Sequence, residues 1–134
     1  MKSFPLFFLG FFGFLCSTAN SEEIARENII CQEKDRPDEM VFVNACEYKD
    51  MSLLQAYSIY LAEMLSDAQK DFIQSPQPGQ NKHIDNLGNA MSVDYKWQGV
   101  NDLSIDQFYA GGETKITFQY NGKDTTVITT SYPD

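Results

Sequence analysis

The chain has little of what catalysis requires. It holds one histidine, three cysteines and one tryptophan in 134 residues. A Ser-His-Asp hydrolase would have to use His83, and the Gly-x-Ser-x-Gly elbow that presents a nucleophilic serine is absent. There is no Cys-x-x-Cys redox pair. Oxygen-rich stretches exist, but Asp85, Asn86, Asn89 and Asp94 lack the alternate spacing and central glycine of a calcium loop, and so do Asp35, Asp38 and Glu39. No glycine-rich phosphate loop follows a strand, and Gly111-Gly112 reads as a turn. Acidic residues are too numerous for the sequence to single out a glycosidase pair. Neither a cofactor nor a metal is expected.

Positive charge is scarce as well. Ten Lys and Arg face 19 Asp and Glu, for a formal net charge of −9. Such a chain repels phosphate backbones and anionic membranes, which argues against nucleic-acid binding. The acidity suits basic partners, and it also simply keeps the chain soluble. No Asn-x-Ser/Thr glycosylation acceptor occurs, a pattern slightly more at home in a bacterial product. Internal repeats and low-complexity tracts are absent.

What is present begins at the N-terminus. Lys2 is the only charged residue before Glu22. An apolar run from Phe4 to Leu15 follows, then Cys16, Ser17, Thr18 and Ala19. A basic start, an apolar core of this length and small residues at its end form the pattern of a cleavable secretory signal, with the cut expected after Ala19. The run is shorter than the roughly 20 apolar residues that span a membrane. Leu15 before Cys16 fits a lipoprotein site poorly. Leu15 also stands where a pilin-like precursor cut after Gly10 needs glutamate. Residues 1–19 are therefore read as a signal peptide and 20–134 as one small domain, secreted or periplasmic, with no stable membrane insertion after cleavage.

Cleavage would remove Cys16 and leave Cys31 and Cys46. Two cysteines in a chain leaving the reducing cytosol predict one disulfide. Closing a loop of about 15 residues stabilises a fold by roughly 3 kcal/mol in the chain-entropy picture.

The mature chain reads as follows. Ser21 opens a short helix, with Glu22 and Glu23 in its first turn, ending near Ile30. Residues 32–39 form a loop, in which Pro37-Asp38-Glu39 could open a helix. Residues 40–45 form a strand. The clearest element is an amphipathic helix over 51–73, capped by Asp50 or Ser52. Its stripe is Leu54, Tyr57, Leu61, Leu65, Ala68 and Phe72, widened by Leu53, Tyr60 and Met64. Residues 74–90 read as a long loop. Met91, Val93, Tyr95 and Trp97 then alternate with polar residues, as in a half-buried strand. Within 99–112, Ser104 and Gln107 suggest a capping box on a short turn ending at Gly111. The C-terminus is a hairpin about Asn121-Gly122, pairing Phe118 with Thr125 and Ile116 with Val127. The fold class predicted is α+β: one main helix on an antiparallel sheet of three to five strands, with a C-terminal hairpin and one disulfide.

Function is read mostly by exclusion. The expectation is a non-enzymatic exported binding or interaction protein, with a protein partner that its acidity favours to be basic, such as a basic enzyme it inhibits. Trp97, Phe108 and Tyr109 form a candidate contact patch if the end of their strand protrudes; otherwise the Trp97 face is core. The alternatives are a small secreted hydrolase using loop residues such as His83 and Asp85, and a structural part of an envelope assembly.

Overall fold

The structure, a computed structural model, describes residues 26–133. The expected signal peptide and its cleavage site lie outside the described residues. The molecule is α+β, dominated by an antiparallel sheet of seven strands rather than three to five. In chain order these are β1 (Ile29–Glu33), β2 (Phe42–Tyr48), β3 (Lys82–Leu87), β4 (Ala90–Gln98), β5 (Asp102–Tyr109), β6 (Gly112–Tyr120) and β7 (Thr125–Pro133). They lie side by side as β1-β2-β7-β6-β5-β4-β3, every neighbour antiparallel. Between β2 and β3 run the helices α1 (Leu53–Ala62) and α2 (Ser66–Gln69).

Cys31 and Cys46 stand directly opposite each other and are joined by the expected disulfide, which ties edge strand β1 to β2. The helix expected to end near Ile30 stops sooner, because Ile29 already pairs with Tyr48. Pro37–Glu39 forms a single 3-10 turn, and the strand expected over 40–45 runs from Phe42 to Tyr48.

The expected long helix is interrupted. Ser52 caps α1 through a reciprocal bond pair with Gln55, but the helix ends at Ala62. The cause is tertiary. The Tyr57 hydroxyl donates to the carbonyl of Ile73, 16 positions on. A straight helix would hold those positions about 24 Å apart. The chain instead turns back, and Tyr95 accepts the Ile73 N–H at 3.0 Å and meets the Tyr57 hydroxyl at 2.8 Å. The buried face is consequently Leu53, Ala56 and Tyr57, while Leu54 and Leu65 of the expected stripe are exposed.

Two segments expected to be irregular are strands. The 74–90 loop contains β3, whose period of two is broken because Asn86 sits at φ +55°. Ile84 and Leu87, three positions apart, both reach the core as a result. The expected turn within 99–112 is β5, in which Leu103, Ile105 and Gln107 alternate inward. The C-terminal hairpin forms with a longer loop. Asn121 Oδ1 accepts from the backbone N–H of Lys123 and Asp124, so Tyr120 pairs with Thr125, Phe118 with Val127 and Ile116 with Thr129. Asp124 is drawn inward, accepting the Asp50 N–H at 2.8 Å. The register moves by two residues, which leaves each side chain on its expected face.

The core lies on one face of the sheet, centred on Phe118. The rings of Tyr57 and Tyr60 each sit 5.5 Å from it, centroid to centroid. Phe72 meets both tyrosines edge-on.

Candidate functional site

The inner face is not closed along its whole length. Read along β7, it carries Thr125, Val127, Thr129 and Ser131, and the cross-strand neighbours on β2 are Tyr48, Cys46, Asn44 and Phe42. Tyr48, Cys46, Thr125 and Val127 are buried. The Tyr60 hydroxyl bonds Thr129 Oγ1 at 2.8 Å and marks the edge of the covered region. Past that point Asn44 is exposed, and Phe42, at the start of β2, is 49% exposed.

Two grooves meet there. One, of about 330 Å³, is lined by Phe42, Tyr109, Thr114 and Ser131 together with Gly111, Gly112, Glu113, Tyr132 and Pro133. The other, of about 320 Å³, is lined by Glu33, Asp35, Phe42, Val43, Asn44, Thr129 and Ser131. Phe42 and Ser131 line both, so the two form one trough. Tyr132, 42% exposed, pairs with Glu113, one residue on from Ser131 and Thr114, so both side chains point to the face opposite Phe42. The described lining includes three carboxylates, Glu33, Asp35 and Glu113, and no Lys or Arg. Asp35 also accepts the Val43 N–H at 2.8 Å through Oδ1, which fixes it beside the groove. Of the cations nearby in the chain, Arg36 pairs with Glu39 at 3.4 Å.

The apolar end of the trough rests on a buried support. Asp71 accepts from the Asn89 N–H at 2.6 Å and the Tyr109 hydroxyl at 2.8 Å. Its backbone carbonyl accepts from Gln107 Nε2 at 3.0 Å. Gly88, at φ +59°, lets the β3–β4 turn approach this carboxylate; a Cβ there would lie 2.2 Å from Asp71 Oδ1. Burial, with Asp71 beside it, holds the Tyr109 hydroxyl protonated well above the ordinary tyrosine range. Tyr109 is therefore a fixed wall of the groove, anchored at its polar end.

The aromatic trio read from the sequence is not brought together. Trp97 stands opposite Leu103, and Phe108 opposite Ser92. Phe108 and Tyr109, as successive strand residues, point to opposite faces. Trp97 shares the Tyr109 face but lies six positions away along β5, about 20 Å. It is half-buried against the core, with its Nε1 buried and without a hydrogen-bond partner among the described residues. Of the three, only Tyr109 lines the trough. Phe42 was missed in the sequence; the one available signal was the aromatic in Val41-Phe42-Val43.

His83 lies on edge strand β3 rather than in a loop. Its Nδ1 is 2.5 Å from Asp94 Oδ1 and its Nε2 is 2.9 Å from Asp85 Oδ1. Hydrogen bonding to Asp94, then to Asp85, raises its pKa above the ordinary histidine value, against a small opposing effect of burial. Both ring nitrogens are engaged by carboxylates, so neither is left to take a proton from a nucleophile. The ring is solvent-exposed, and among the described residues no hydroxyl bonds to it. Nor do the described residues hold a group of three His, Cys, Asp or Glu arranged to bind a metal ion.

Comparison with known proteins adds one loose likeness. No protein-family model matches the chain, and no curated protein matches it. Among solved structures it is similar to the crystal structure of CalU16 from Micromonospora echinospora, at 16% identity over 79% of this chain and 68% of that one, with a TM-score of 0.39.

Proposed function

We propose that the mature chain is an exported, non-enzymatic binding protein, periplasmic or released to the medium, and that the trough around Phe42 is where it holds a protein partner. The observation carrying this reading is an open groove on the inner face that holds Phe42, 49% exposed, and is walled by Tyr109. Aromatic anchors in a groove are the usual energetic centre of a protein interface. In this reading α1, with the segment around Phe72, is the main cover of the sheet, and it leaves the Phe42 end free. The disulfide suits an oxidising compartment, and the N-terminal pattern suits export. The hydrolase reading is weaker, since His83 has no free ring nitrogen and no hydroxyl partner among the described residues.

The test is site-specific photo-crosslinking in the native host. A crosslinker replacing Phe42 should give a discrete protein adduct in the periplasm or medium. The same group replacing Leu54, exposed on α1 away from the trough, should not. Adducts at neither position, or identical adducts at both, would count against the trough as the binding surface.

A further inference from the structure

The two edges of the sheet are finished differently. β3, at one end, carries the devices that keep an edge from pairing. Lys82, His83 and Asp85 are ionisable, and the left-handed Asn86 drops out of the ladder with β4. β1, at the other end, has five residues and only one charge, Glu33 in last place. Nothing among the described residues pairs with its outer edge. The register shows which groups lie open there. The Lys34 N–H bonds the Val43 carbonyl and the Lys49 N–H bonds the Asn28 carbonyl, so the even-numbered residues of β1 are the ones that bond to β2. Ile29, Cys31 and Glu33 therefore turn their backbone N–H and C=O groups outward, away from the sheet.

β1 also buries little. Residues 30–33 are exposed, and only Ile29 packs against the core. Yet the Cys31–Cys46 disulfide fixes this strand to its neighbour. A pinned edge with open backbone groups at three residues is a template for one more strand. A second copy suits it poorly. Antiparallel pairing of two β1 strands about Cys31 would set Ile29 against Glu33 and Ile30 against Gln32 of the other copy, apolar against polar, between chains of −9 each.

Resting on the binding role proposed above, we infer that β1 is a strand-addition edge: an extended segment of the partner protein pairs antiparallel with Ile29–Glu33, with β-branched residues opposite Ile29 and Ile30 and polar, non-acidic residues opposite Gln32 and Glu33. Every pairing already in the sheet is antiparallel. Glu33 joins this edge to the trough, since it ends β1 and lines the groove beside Phe42. The added strand lies two strands from Phe42, about 10 Å, with every second side chain on the trough's face. Backbone bonds supply the affinity and the side chains the selectivity.

The experiment uses the disulfide-bonded, exported chain and a fluorescein-labelled Lys-Thr-Thr-Val-Val peptide with blocked ends. One version is N-methylated at its second and fourth residues, whose N–H groups point away from β1 and would otherwise let the peptide stack on itself. The other is N-methylated at the first, third and fifth, which removes the donors that face Glu33, Cys31 and Ile29. The first version should bind, read by fluorescence polarisation, and should slow amide exchange at Cys31 and Glu33. The second should do neither. Glu33→Pro is tolerated on an edge whose N–H faces outward. It should weaken binding about fivefold, the loss expected of one backbone hydrogen bond.

Equal binding of the two versions, binding of neither, or binding unchanged in Glu33→Pro would overturn strand addition. Slow exchange at Ile29, Cys31 and Glu33 in the free chain, with a dimer in sedimentation, would overturn the separate partner in favour of a second copy. Each of these results leaves the trough to the crosslinking at position 42, which uses no peptide and no backbone pairing.

Discussion

One face of one sheet behaves in two ways along its length. At the Phe118 end, β7 and β2 carry Val127, Thr125, Cys46 and Tyr48, all buried, and the rings of Tyr57 and Tyr60 pack against Phe118. At the Phe42 end, the same strands carry Ser131, Asn44 and a half-exposed ring. The backbone is equally regular at both ends, so the difference lies in what the intervening chain covers. α1 ends at Ala62, the chain folds back to bond Tyr57 and Tyr95, and the buried stretch of this face ends near Thr129. The lesson is that a regular strand pairing does not by itself decide which end of a sheet face is buried.

Breaking the covered end should have the largest effect. Phe118→Ala removes a fully buried ring from beneath two tyrosines, and a loss of about 3–5 kcal/mol is expected in equilibrium urea unfolding. A loss near 1 kcal/mol would mean that this end is loosely packed and the contrast is overstated. Next comes the network that turns the chain back. Tyr95→Phe leaves the Ile73 N–H without its acceptor and removes one of the two partners of the Tyr57 hydroxyl, which keeps the Ile73 carbonyl. About 2 kcal/mol should be lost, with faster amide exchange at Ile73. Unchanged exchange there would show that the network does not hold the fold-back in place.

A smaller effect is expected at the sheet's far edge, where β3 is pinned by His83. Its folded pKa is raised, so protonated His83 favours the folded state. That contribution is fully present below the unfolded value of about 6.5 and fades as pH rises through the higher folded value. The imidazole resonances should titrate with a midpoint above 6.5, and Asp94→Asn, removing the carboxylate bonded to Nδ1, should lower it. A midpoint at or below the free value would dissociate His83 from both carboxylates.

The sequence made the compositional and covalent features readable, and the tertiary ones less so. The disulfide followed from two cysteines and a compartment. Strand β4 followed from Val93, Tyr95 and Trp97, and the faces of the C-terminal hairpin from its alternation. Strand β5 was hidden because Asp102, Ser104 and Asp106 are poor strand formers and Ser104-x-x-Gln107 mimics a cap. Lys96, 3.5 Å from Asp106, is the tertiary compensation a local reading cannot see. Strand β3 was hidden by the left-handed Asn86. The trough was not legible at all: Glu33, Phe42, Ser131 and Tyr109 come together only through the β1–β2–β7–β6–β5 pairing, which no local periodicity encodes.

The most direct test of the two-ended face is the urea unfolding of Phe42→Thr beside that of Phe118→Ala. A half-exposed ring at an open end should cost no more than about 1 kcal/mol when trimmed, with the slope of the transition unchanged. If Phe42→Thr instead destabilises as much as Phe118→Ala, Phe42 belongs to the folded core, and the free end of the sheet, with the binding role built on it, is contradicted.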